Sequence, residues 1–199
     1  MRSCFSVLGV LVVAIAILAV VAAFLMRPPE GATQPAKVKP STEAAASLDQ
    51  KIAEVEKAVT SAQKDAKPTP MTLRVTEQEL TSKVAQWQAE SGDSSAFQIR
   101  DPQIRLLPGE IVSTARVNWR GLDLPLAVTA QVKVQGGKPE VMVQSVKLGE
   151  LPVPGSVRDQ IVDMIQEQMS AFWADLPIQI QDIRIEQGLA IITGVALPK

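Results

Sequence analysis

The chain has 199 residues, with 20 lysines and arginines against 21 aspartates and glutamates, no histidine and one cysteine. The formal net charge of −1 excludes the basic footprint of a nucleic-acid binder. The missing histidine removes the commonest general base and metal ligand, and a lone Cys4 permits neither an internal disulfide framework nor a cysteine-rich metal site.

Ser3 to Met26 carries no charge and is dominated by Val, Ala, Leu and Ile. As a helix, about 22 such residues span ~33 Å, which matches a bilayer core of ~30 Å. A cleaved signal peptide competes with this reading, since Val21-Ala22-Ala23 loosely resembles a cleavage site. The run continues through Phe24-Leu25-Met26, which favours an uncleaved signal anchor over residues 1–26. Cations lie on both sides of the run: Arg2 before it, Arg27, Lys37 and Lys39 after it. The positive-inside rule therefore does not orient it. A short N-terminal anchor usually leads an exported domain, so the C-terminal part is expected outside the cytoplasm, at the cell membrane. Cys4 reads as a juxtamembrane thiol, with palmitoylation the lesser alternative.

Residues 27–70 form a Pro/Ala-rich linker that contains a helix at about 43–66. Pro28, Pro29 and Pro35 keep its first part extended. Leu48, Ile52, Val55, Val59, Ala62 and Ala66 then alternate spacings of four and three, a narrow heptad stripe. A helix lying on the domain, or a solvated stalk, ranks above a coiled-coil dimer, because the stripe is short and ends in alanines.

The folded domain is expected over residues 71–199. After a strand at Thr72–Val75, Thr76-Glu77-Gln78-Glu79 reads as a capping box, with Val75 and Leu80 placed as a hydrophobic staple. Leu80, Val84 and Trp87 share a face of the helix that follows. Strands over Phe97–Leu107 and Ile111–Trp119 flank Pro108-Gly109, a turn pair. From Leu122 to Val134 apolar residues alternate with Asp123, Pro125, Thr129, Gln131 and Lys133, a period of two with one dry face. Gly136-Gly137 turns the chain into a strand over Val141–Leu148.

Next comes an amphipathic helix from Ser156, its N-cap, to Leu176, stopped by Pro177. Val157, Ile161, Met164, Ile165, Met169, Phe172, Trp173 and Leu176 give it an apolar face roughly half its circumference wide. Strands over Ile178–Glu186 and Leu189–Val195 close the chain across Gln187-Gly188. Short connections make the strands antiparallel. The expected fold is α+β: a curved antiparallel sheet wrapped on the long helix 156–176, preceded by one N-terminal transmembrane helix.

No glycine-rich phosphate loop, nucleophile elbow or zinc spacing occurs. Asp159, Asp163 and Glu167 fall on the polar face of the long helix and read as solvated. Asp123, Asp175 and Asp182 leave a carboxylate pair open. Catalysis is disfavoured, and no metal or cofactor is implied. Met142, Met164 and Met169 suit an adaptable apolar lining, although by periodicity alone an ordinary core outranks a ligand groove.

The order Val75-Thr76-Glu77-Gln78-Glu79-Leu80, a strand meander, V-K-L-G-E-L-P-V-P-G at 146–155, a helix, L-P-I-Q-I-Q-D-I-R-I at 176–185 and Q-G-L-A-I-I-T-G at 187–194 resembles the YpmS and LmeA-like families of exported bacterial envelope proteins. These in turn resemble tubular lipid-binding domains, in which an acyl chain lies between a curved sheet and a helix. The likeness covers roughly residues 71–199; the helix at 43–66 stands outside it. It implies a membrane-anchored, extracytoplasmic, non-enzymatic lipid-binding protein, with membrane lipid as its partner and no nucleic acid. Joined to the patterning above, it nominates Trp119, Leu124, Leu126, Val128, Met142, Ile161, Ile165, Met169 and Phe172 as lipid-binding residues. A non-catalytic structural or protein-interaction module of the envelope is the alternative.

Overall fold

In the computed structural model, the residues described are 37–91, 98–119, 122–149, 151–152, 159, 162–163 and 177–198. Two helices and eight strands are built from them: α1 (Thr42–Asp65), β1 (Thr69–Thr76), α2 (Glu77–Ser91), β2 (Gln98–Leu107), β3 (Glu110–Trp119), β4 (Leu122–Gln135), β5 (Lys138–Leu148), β6 (Leu151–Pro152), β7 (Ile178–Glu186) and β8 (Leu189–Ala196).

The expected single wrapped sheet is corrected. The strands form two antiparallel sheets, a three-stranded one in the order β1-β8-β7 and a five-stranded meander β2-β3-β4-β5-β6. Alternation in β4 fixes which face is dry but says nothing about which strands join the same ladder. The first strand pairs with the last, from Thr69 opposite Ala196 to Thr76 opposite Leu189, and this separates β1, β7 and β8 from the meander. The helices packed on the sheets are also not the expected one. α1 and α2 lie against each other, α1 on β1 and α2 on β2. Of the segment 156–176, only Asp159, Val162 and Asp163 are described, all helical, and the rest lies outside the described residues. Ser3 to Met26 also lies outside them; among the described residues no helix is long and apolar enough to cross a membrane.

α1 begins at Ser41, whose hydroxyl accepts from the Ala44 N–H, and ends at Ala66 in the left-handed region. Its apolar stripe faces inward: Leu48, Ile52 and Val55 join one core with Leu73 and Val75 of β1, Leu80 and Val84 of α2, and Ile180 and Ile185 of β7. The same core continues through Ile104, Leu106, Leu126 and Val128 of the meander.

The two sheets meet where the hairpin turns of the meander reach β7. The Gly109 N–H donates to the Ile185 carbonyl at 2.9 Å, and the Ile180 N–H to the Gly137 carbonyl at 2.8 Å. β7 would otherwise present a row of unpaired backbone groups, and the two turns blunt that edge. Both turn glycines have positive φ, 78° and 76°, which a side chain would strain.

Candidate functional site

The capping box forms as its spacing predicts and does more than cap. The Thr76 hydroxyl accepts from the Glu79 N–H at 3.2 Å, while Glu79 Oε2 accepts from the Thr76 N–H at 2.9 Å. Val75 and Leu80, the expected staple, are both buried. Glu79 is itself only 5% exposed and gathers α1 as well. Ser47 Oγ donates to Oε1 at 2.6 Å, and Lys51 Nζ lies 2.6 Å from Oε1 and 2.9 Å from Oε2. Burial pushes this carboxyl up, but the bonds from Lys51, Ser47 and Thr76 together outweigh burial, and it titrates below the usual glutamate range.

A second polar set seals the outer edge of β2. Thr81 of α2 is fully buried. Its hydroxyl accepts from the Ile104 N–H at 2.9 Å and donates to the Ile104 carbonyl at 3.3 Å. Glu77 Oε2 accepts from the Leu106 N–H at 3.1 Å and lies 3.2 Å from Arg105 Nε. The Gly188 N–H, from the β7–β8 turn, donates to the Leu106 carbonyl at 2.8 Å. Helix side chains thus stand in for a neighbouring strand. Sequence reasoning missed Thr81, because a threonine beside an apolar helix stripe carries no periodic signal. Both polar sets tie α2 to its neighbours, the first to α1 and the second to β2.

Of the nominated residues, Leu124, Leu126 and Val128 lie on the inward face of β4, the last two 0% and 1% exposed. That face continues through Ala130, Val132 and Val134, and across the ladders to Ala115 and Ser113 on β3 and to Val141, Val143 and Val146 on β5. Ser113 is the single polar side chain among those just named. Apart from its sheet neighbours, β7 is the main described element packed against β4.

Met142 does not belong to this surface. It sits opposite Gln131, on the outward face with Thr129 and Lys133. Counting in twos back from Val146 places Met142 inside. The ladder shifts at this point, however: Thr129 pairs with Ser145 but Ala130 with Val143, so Gln144 is the extra residue and the alternation reverses. Trp119 ends β3 opposite Leu122, and its side chain lies outside what is described. Ile161, Ile165, Met169 and Phe172 lie outside the described residues.

The carboxylates considered for catalysis are occupied otherwise. Asp123 lies 3.7 Å from Arg116, and Asp182 lies 3.4 Å from Arg184. Asp159 and Asp163 are exposed. Asp175 and Glu167 lie outside the described residues. Among the described residues no group of three or more His, Cys, Asp or Glu side chains could hold a metal ion. Among the described residues the remaining candidate is the hydrocarbon face of the β2–β6 sheet, much of which is part of the core; such a face can recognise a ligand only by removing its apolar surface from water. No protein-family model matches the chain, and no curated protein matches it.

Proposed function

We propose that the protein is a membrane-anchored, extracytoplasmic lipid-binding domain without catalytic activity, and that acyl chains rest on the inward face of the β2–β6 sheet. The observation that carries this reading is the composition of that face. From Leu124 to Val134 every inward residue of β4 is apolar, and Ala115, Val141, Val143 and Val146 extend it to both neighbouring strands. The uncharged run from Ser3 to Met26 supports the anchor. The likeness to the YpmS and LmeA-like envelope families supports the ligand class; it rests on the residues quoted for it. Each methylene moved from water onto such a face contributes ~0.8 kcal/mol, so a long acyl tail is held without any polar contact.

Native mass spectrometry of residues 37–199, purified from cells, tests the proposal. The fragment starts at 37 because α1 supplies Leu48, Ile52 and Val55 to the core. The expected result is a lipid-bound species whose ligand is recovered by solvent extraction. A single apo mass that does not respond to added phospholipid would favour the alternative, a structural or protein-interaction module of the envelope. The near-complete burial of Leu126 and Val128 is the observation on that side.

A further inference from the structure

The three-stranded sheet has two unlike sides. α1 packs on one of them, where Met71, Leu73 and Val75 of β1 and Ile178, Ile180 and Ile185 of β7 are buried. The other side is open along both outer strands: Thr72 and Arg74 of β1 and Asp182, Arg184 and Glu186 of β7 are exposed. β8 runs between them and carries Leu189, Ile191 and Val195, all half-buried, together with Thr193. The ladders align these residues in rows, Thr72–Thr193–Asp182, Arg74–Ile191–Arg184 and Thr76–Leu189–Glu186. An apolar stripe is thus bordered by charge on both sides, the pattern of centre and rim in a protein interface.

The two borders differ in sign. β1 contributes Arg74, whereas β7 contributes two carboxylates and one arginine. Asp182 and Arg184 answer each other at 3.4 Å. Arg74 and Glu186 have no ion pair or hydrogen bond among the described residues. One edge of the face therefore offers an unmatched cation and the other an unmatched anion, with β8 holding the two strands ~10 Å apart.

We propose that this face binds its counterpart on a second copy of the chain. A two-fold axis along β8 sets Ile191 over Ile191 and lays β1 of each copy over β7 of the other. Arg74 then lies at the level of the other copy's Arg184, between Asp182 and Glu186, on an edge with one negative charge in excess. The same contact recurs at the symmetric edge. A face that carries equal charge of both signs, separated onto opposite edges, is complementary to itself and presents no net field to an anionic membrane or nucleic acid. The matching area is small. Three strands of about eight residues cover roughly 15 Å by 25 Å, about half of what each partner buries in a stable complex. The contact is therefore weak in dilute solution and forms where chains are concentrated. It uses no residue of the proposed lipid-bearing face and does not depend on that reading.

The full chain with Cys4→Ser and Thr193→Cys is treated in mild detergent with a short bis-maleimide, at on the order of 0.1 mM protein. Thr193 is the next outward residue to Ile191 on β8, and stacked sheets lie ~10 Å apart, so the two thiols come within the reagent's span. Thr129→Cys, on the outward face of the five-stranded sheet, is the control. The expected result is a covalent dimer at position 193 well above the yield at position 129. Arg74→Glu or Glu186→Arg, added to Thr193→Cys, sets like charges against each other at both edges and should lower the yield about fivefold. The two substitutions together should restore it. Melting temperatures should stay the same throughout, since both side chains are exposed. Cross-linking at 193 no greater than at 129 overturns the proposal, as do single variants that cross-link like the parent. A loss in the single variants that the double variant does not restore also overturns it and assigns the face to a different partner.

Discussion

Along the outer edge of β2, both backbone groups of Ile104 and the Leu106 N–H meet a threonine hydroxyl and a glutamate from α2, and the Leu106 carbonyl takes the Gly188 N–H. Along the outer edge of β7, Ile180 and Ile185 meet the backbone of two turns. Both devices remove a row of free donors and acceptors that would recruit another strand, but they depend on the sequence differently. The β2 edge relies mainly on side-chain chemistry, so one atom can open most of it. The β7 edge relies on the path of the main chain, so it fails only where a side chain obstructs that path or where a turn can no longer adopt positive φ.

The largest effect is expected where the β7 side has no room. A Cβ at Gly194 of β8 would stand 2.6 Å from the Gln179 carbonyl oxygen of β7. Gly194→Ala should cost about 3 kcal/mol, read as a lower midpoint in urea denaturation of residues 37–199. Glu79→Gln comes next. It keeps the shape but removes the charge that Lys51 and the Thr76 N–H address, and should cost about 2 kcal/mol.

The same variant has a pH signature. The Glu79 carboxyl titrates below the usual range in the folded protein. Its contribution is therefore fully present above the ordinary glutamate pKa and is lost as the pH falls through the lower folded value. The wild type should lose stability over that acidic window, and Glu79→Gln should lose less over the same window; parallel slopes would show that another group is responsible.

Thr81→Val tests the β2 edge alone. The methyl group replaces the hydroxyl at nearly constant volume and orphans the buried Ile104 N–H, for a loss of about 1–2 kcal/mol. Thr81→Ser, which keeps the hydroxyl, should retain amide protection at Ile104 in hydrogen exchange. The smallest effect is expected at Gly109, where a Cβ meets open space and the whole cost is its φ of +78°, about 1 kcal/mol on substitution by alanine. If Thr81→Val cost less than Gly109→Ala, the distinction between the two edges would not hold.

These residues also mark how far the sequence could be read. Thr76 and Glu79 were legible because a capping box is a local pattern three residues long. The turns at Pro108-Gly109, Gly136-Gly137 and Gln187-Gly188 were legible for the same reason, and the dry face of β4 because its alternation is unbroken. Legibility stopped where partners are distant. Nothing local reports that β1 waits for β8, so the pattern predicts one sheet where the structure has two. Nothing local reports that Lys51 on α1 will reach Glu79 on α2. At the site, Leu124, Leu126 and Val128 could be placed on the inward face because the count in twos holds along β4. Met142 was misplaced because a single extra residue, Gln144, reverses that count on β5.

The pairing of β1 with β8 also sets the order in which the chain can mature. As the polypeptide leaves the ribosome, β1 emerges well before β8, its ladder partner among the described residues. Contacts this far apart in sequence raise the contact order and slow the search for the native state, so β1 stays exposed to mispairing until β8 has been made. A fragment lacking residues 189–199 should leave β1 unzipped however well the meander has formed.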